Sequence, residues 1–161
     1  MTHADDDGLV LPPRLAPRHA VILPIYRSDD DRGPVLEYCK TLCQQLQKQT
    51  YHGEPVRVWI DDRDLRGGEK NWQHIKRGVP LRMEVGPRDV QAGAIFLGRR
   101  DRPVKQKQSV PREEIVAQIA PLLDEIQSQL FDRALALRQQ NTQVIDSLRD
   151  FRDYFTPRNS E

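Results

Sequence analysis

Ala20-Val21-Ile22-Leu23-Pro24-Ile25 opens the stretch that decides the fold, and Val56-Arg57-Val58-Trp59-Ile60 closes it. The first is a short continuous apolar run, the pattern of a strand buried on both faces. Between the two, Tyr26 to Gly33 reads as a polar loop carrying Asp29, Asp30 and Asp31. Pro34 then stands where a helix accepts proline in its first turn. Val35, Cys39, Leu42, Cys43 and Leu46 follow at helical spacing and fade near Lys48, with Gly53 and Pro55 marking a turn. Strand, helix, strand in this order predicts a parallel pair joined by a right-handed crossover.

Outward toward the C-terminus the pattern repeats. Asp61-Asp62-Arg63-Asp64 ends the second strand, and Gly67-Gly68 loosens the chain. Glu69 to Arg77 can form a short helix that Gly78 stops. Leu81-Arg82-Met83-Glu84-Val85 alternates as a third strand, ending in a polar loop, Gly86-Pro87-Arg88-Asp89. Ala94 to Leu97 and Lys105 to Val110 flank Asp101-Arg102-Pro103 as a hairpin. Pro111, Glu113 and Glu114 open a last helix, with Ile115, Ile119, Leu122, Leu123, Ile126 and Leu130 as its apolar stripe. Pro121 is expected to break or kink it. Beyond Arg138 the pattern weakens into a polar tail. Outward toward the N-terminus, Pro12, Pro13 and Pro17 make residues 1–17 an extended arm. The expectation is one α/β domain: a five-stranded mixed sheet flanked by helices on both faces.

The 161 residues suit one domain with appendages. Lys and Arg number 25 against 24 Asp and Glu, so net charge points to no partner, and a nucleic-acid surface must come from local charge separation. No apolar run approaches the ~20 residues of a membrane span, and no basic-then-apolar leader opens the chain. Membrane partners are not expected. Cys39 and Cys43 fall on the apolar face of their helix and read as core residues of a reducing compartment. With only His52 in easy sequence reach, they are not read as a metal site.

In open α/β sheets, ligands bind beyond the carboxyl ends of the parallel strands. Two polar loops fall there, 61–70 and 86–89. The first mixes Asp61, Asp62, Asp64 and Glu69 with Arg63, Arg66 and Lys70. Such a mixture suits base edges, because Arg and Lys donate to guanine acceptors while carboxylates accept from amino groups. It also suits a solvated turn with internal ion pairs. Trp59 and Trp72 can stack on bases or belong to the core. Gly67-Gly68-Glu69-Lys70 lacks the spacing of a phosphate-binding P-loop. Asp61-Asp62 lacks the hydroxyl residue that a phosphoacceptor domain carries at a later strand end. A separate basic cluster, Arg99, Arg100, Arg102, Lys105, Lys107 and Arg112, can hold an RNA backbone or guard a sheet edge.

These residues carry a resemblance. His3-Ala4-Asp5-Asp6 with Gly8-Leu9-Val10-Leu11-Pro12-Pro13, then Asp61-Asp62-Arg63-Asp64-Leu65-Arg66, Gly78-Val79-Pro80-Leu81-Arg82 and Glu84-Val85-Gly86-Pro87-Arg88-Asp89, resemble the C-terminal part of prolyl-tRNA synthetases of the archaeal and eukaryotic type. The resemblance extends over almost the whole chain. It implies the end of a class II catalytic domain and a linker arm at 1–17. An anticodon-binding domain follows at 18–130, and 131–161 is a helix end and linker toward a further domain. The family activates proline with ATP and Mg2+ and transfers it to tRNA in the cytoplasm, generally as a homodimer. Its catalytic motifs do not occur in this sequence, so the chain alone is expected to be inactive and to hold no cofactor.

By position in the motifs, Asp62, Arg63, Arg66, Lys70, Glu84 and Arg88 are expected at the tRNA(Pro) anticodon. Lys76, Arg77, Arg99 and Arg100 are expected on its backbone. The catalytic domain of the parent chain is the other expected partner. Leu9, Val10, Leu11 and Leu15 of the arm are therefore expected to be poorly covered. The chain departs from the family at Gly67 to Lys76, where Pro-Gly and Trp-Glu-Leu steps are replaced. A stand-alone relative serving as a protein-interaction or dimerisation module is the alternative.

Overall fold

The computed structural model describes residues 3–156. In chain order the elements are β1 (Ala4–Asp5), β2 (Gly8–Leu9), β3 (Ala20–Pro24), α1 (Asp29–Gln47), β4 (Thr50–Tyr51), β5 (Glu54–Pro55) and β6 (Val58–Ile60). Then come α2 (Gly67–Lys76), β7 (Leu81–Val85), α3 (Pro87–Ala92), β8 (Ala94–Arg99), β9 (Lys107–Pro111), α4 (Arg112–Gln140) and α5 (Leu148–Phe155). The central sheet has five strands in the order β6-β3-β7-β8-β9. β3 pairs parallel with β6 and with β7, while β8 and β9 add antiparallel strands. The expected mixed sheet is the one observed.

The apolar run 20–24 is buried throughout because β3 has a neighbour on each side and helices on both faces. Ala20 and Ile22 face a core shared with Leu42 and Leu46 of α1 and with Ile119 and Leu123 of α4. Val21 and Leu23 face the other way, toward Val79, with Ile25 and Trp59 packed on them. α2 covers this second face beside β3, burying His74 and Ile75.

Several local expectations are corrected. α1 begins at Asp29, five residues before Pro34: the Ser28 side chain caps the Asp31 N–H, and three acidic residues complement the helix N-terminus. The 86–89 loop is the start of α3, fastened by the Gly86 N–H donating to Asp89 Oδ2 at 2.8 Å. α4 is helical through Pro121, and the polar tail contains α5.

The arm is covered only in part: β1 and β2 form a small hairpin and Val10 is buried at 7% exposure, against expectation, whereas Leu9 and Leu15 are exposed as expected, at 37% and 72%. The hairpin docks on the end of α2. Gly78 has φ +70°, and a Cβ there would meet the Leu9 backbone at 2.8 Å, so only glycine permits this approach.

The chain divides into two compact units, residues 1–131 and 132–161. The second carries exposed Leu148, Phe151, Tyr154 and Phe155 on α5, where the Phe151 and Phe155 rings stand 4.8 Å apart. Among the described residues, no helix is long and apolar enough to cross a membrane.

Candidate nucleic-acid interface

β6, β3 and β7 are parallel neighbours, so their carboxyl ends stand side by side. The loop after β3 lies between the two polar loops singled out in the sequence. It contributes Ile25, Tyr26, Arg27 and Asp31 to a cleft of about 420 Å³, whose opposite wall is Gly86, Pro87, Arg88 and Asp89. Arg88 is exposed in the first turn of α3, and Arg27 is exposed across from it. Sequence reading passed over Arg27. Its signal was its place just beyond the carboxyl end of the first strand.

The loop after β6 is built around Asp61, which is fully buried. Arg63 Nε and Nη2 each donate to one of its oxygens at 2.7 Å, and His74 Nε2 meets Oδ2 at 2.8 Å. Burial alone would raise the Asp61 carboxyl, but the Arg63 and His74 hydrogen bonds outweigh it and hold it well below the usual carboxylate range. Burial pushes the His74 imidazole down despite the carboxylate beside it. Asp61 thus fixes Arg63 in one orientation with its guanidinium still part-exposed. Asp62 and Arg66 on the same loop are exposed.

Lys70 is a correction. It is 3% exposed, and its Nζ donates to the Asp61 and Pro24 carbonyl oxygens at 3.1 and 3.3 Å. It ties the ends of β6 and β3 together, with two of its three N–H donors spent on those carbonyls and almost none of it exposed. Glu84 lies on β7 and accepts from Lys107 Nζ at 2.5 Å. Lys76 and Arg77 are exposed at the end of α2, with Lys76 Nζ 5.6 Å from the Trp72 ring. Trp59 is covered by Arg18, whose guanidinium lies 3.9 Å from the ring centroid.

Arg99 and Arg100 are corrected as well. Arg99 is 8% exposed and chelated by Asp101, with a further bond to Glu125 at 2.9 Å. Arg100 is 3% exposed; it donates to the Ile75 carbonyl at 3.1 Å and to Asp5 Oδ2 at 2.6 Å. Both are internal clamps that hold α4, α2 and the arm to the sheet, with little of either guanidinium on the surface. Cys39 and Cys43 are buried free thiols in the core.

The sequence profile HGTP_anticodon, the anticodon binding domain, matches residues 19–122, which span the whole central sheet. A proline–tRNA ligase of Bdellovibrio bacteriovorus is 56% identical over 97% of this chain and 31% of its own length. Proline–tRNA ligase 2 of Anaeromyxobacter dehalogenans is 54% identical over 98% of this chain, and the proline–tRNA ligase of Protochlamydia amoebophila is 45% identical over 100%. The chain spans about a third of the length of these curated relatives, 31–32%. With a profile match over most of its length and a sheet whose parallel strand ends carry exposed arginines, the chain belongs to the anticodon-binding domain family.

Proposed function

We propose that this domain reads the anticodon of proline tRNA as part of a proline–tRNA ligase of the archaeal and eukaryotic type. The observation that carries the reading is the identity of 45–56% to proline–tRNA ligases over nearly the full chain. The strand ends supply the chemistry. Arg88 and Arg27 face one cleft, Arg63 is held rigid by Asp61, and Arg66 stands free beside it. An arginine can donate two parallel bonds to guanine O6 and N7, and a carboxylate such as Asp62 or Glu84 can accept from the guanine amino edge. The expected target is the GG step of an NGG anticodon, with Lys76 and Arg77 nearer the RNA backbone. Proline activation with ATP and Mg2+ would belong to the catalytic domain of the parent chain, expected to be a cytoplasmic homodimer.

Filter binding of the 161-residue chain to proline tRNA tests the reading. A transcript with either anticodon guanine changed to adenine is expected to bind more weakly by ~1–3 kcal/mol per base. Equal affinity for all three transcripts would remove anticodon reading and leave an interaction module.

A further inference from the structure

We propose that His74 is a positioning residue for guanine recognition: acting through Asp61, it decides which edge of Arg63 faces the RNA. This rests on the RNA-reading function above and gives a role to a fully buried side chain that never touches the ligand.

Lys70 and His74 stand four residues apart on α2, so both side chains leave the same face of the helix. Both end on Asp61. Lys70 Nζ donates to its carbonyl oxygen at 3.1 Å, and His74 Nε2 meets its Oδ2 at 2.8 Å. The Asp61 N–H donates to the Ile22 carbonyl at 2.9 Å. The main chain of Asp61 is thus held by β3 and Lys70, and what remains is the rotation of its carboxylate. His74 is fully buried and packed edge-on against Trp59, with ring centroids 5.6 Å apart, whereas the Arg63 side chain is 37% exposed. The buried partner aims the carboxylate, and the exposed one follows it.

The consequence lies in the edge that Arg63 has left. It spends its Nε–H and one N–H of Nη2 on Asp61, each at 2.7 Å. A guanidinium is planar and carries five donors, so a second fork remains on its far side, one N–H of Nη2 parallel to one of Nη1. That fork suits guanine O6 and N7 and is opposed by the amino group that adenine carries in place of O6. If the carboxylate turned, the guanidinium would turn with it and offer a different edge, and the distinction between the two bases would be lost.

The charge state of His74 fits the same role. Asp61 is the acceptor, so His74 Nε2 carries the proton, and Nδ1 has no partner among the described residues. Burial pushes the imidazole down, with the Arg77 and Arg63 charges adding to the effect and Asp61 opposing it. A neutral imidazole donates its hydrogen bond without bringing further positive charge beside Arg63, so the carboxylate stays matched to the guanidinium.

The test uses the full chain and RNA hairpins carrying the proline anticodon loop, intact or with one guanine changed to adenine, followed by fluorescence anisotropy. Arg63→Ala identifies the guanine concerned, as the one whose replacement it no longer feels. His74→Leu keeps a side chain of similar bulk that donates nothing, so it should lose ~5-fold or more of the guanine preference at that position and none at the other. His74→Met, which adapts to the same space, should repeat the loss if the leucine variant does not fold. His74→Gln, whose amide offers an N–H where Nε2 stood, should keep the preference within about 2-fold. Combining His74→Leu with Arg63→Ala should cost nothing beyond Arg63→Ala alone, since the two act as one unit. An unchanged preference in the leucine or methionine variant, or an additive loss in the pair, overturns the positioning role. If Arg63→Ala keeps both preferences while Arg88→Ala removes one, the role of His74 falls and the reading of the strand ends stands. If the unmodified chain prefers neither guanine, both fall together.

Discussion

The strand-end loops and the β8–β9 hairpin carry similar arginine-rich sequence, and the fold uses them in opposite ways. At the strand ends, Arg66, Arg27 and Arg88 are exposed, and Arg63 is anchored at one edge with the rest reachable. At the hairpin, Arg99 and Arg100 are buried and bonded to Asp101, Glu125, Asp5 and the Ile75 carbonyl. The difference lies in where the acceptors are. An arginine whose acceptors are already supplied by the protein is scaffold, and one that faces water at a strand end is available to a ligand. Density of positive charge along the chain does not separate the two.

The comparison can be broken first on stability, where the scaffold side should respond most. Arg100→Ala removes a guanidinium that joins the arm, α2 and the sheet and leaves the Ile75 carbonyl without its donor, for an expected cost of ~1–3 kcal/mol in urea unfolding. Asp61→Ala should cost a similar amount, because it leaves His74 buried without its partner and frees Arg63. A loss under ~1 kcal/mol for both would mean that these clamps are surface pairs in solution.

Acid should act next. His19 is fully buried; burial first, and the Arg57 charge second, push its imidazole down to about 4. Its Nδ1 accepts from the Arg57 backbone N–H at 3.1 Å, which protonation would oppose. Unfolded histidine titrates near 6.5, so between about 6.5 and 4 the unfolded chain binds more protons. The stability that His19 contributes is complete above that window and is lost as pH falls through it, by up to ~3 kcal/mol. His74 is shifted the same way. The Asp61 contribution is separate: present above the unfolded Asp value of ~3.9 and lost only below it. Urea midpoints at pH 7.5 and 4.5 should differ, and His19→Asn should shrink that difference. A flat profile would contradict the buried neutral state.

Smaller still is Arg102→Ala. Arg102 pairs with Glu125 at 3.2 Å, but both side chains are about two-fifths exposed, at 39% and 44%, so the change should cost less than ~1 kcal/mol in the same unfolding assay. Arg88→Ala should leave stability unmoved, since that side chain is exposed and bonds to no other described residue.

Most of the fold was legible because it is local. The run 20–24 and the alternation of 81–85 fix strands by burial pattern, and the stripe from Ile115 to Leu130 fixes a helix. The helix starts were harder. Ser28 with three acids outweighed Pro34 as a boundary signal, and Asp89 capping Gly86 turned a loop into α3. The site was legible only in part. Position beyond the parallel strands put Arg63, Arg66 and Arg88 at the strand ends, which is where the fold carries them. Lys70 and Arg100 were misplaced because their partners are distant in sequence: Pro24 lies 46 residues from Lys70, and Asp5 lies 95 from Arg100. No local pattern announces such a bond. Arg27 was passed over because the loop around it reads as ordinary polar chain.

The most direct measurement is the affinity of Arg88→Ala for proline tRNA with matched and G-to-A anticodons, at two salt concentrations. The unmodified chain should prefer the matched anticodon by ~1–3 kcal/mol, and Arg88→Ala should lose that preference with the salt slope nearly intact. If Arg88→Ala instead weakens both tRNAs equally and flattens the salt dependence, Arg88 holds phosphate, and the claim that the strand-end cleft reads bases is wrong.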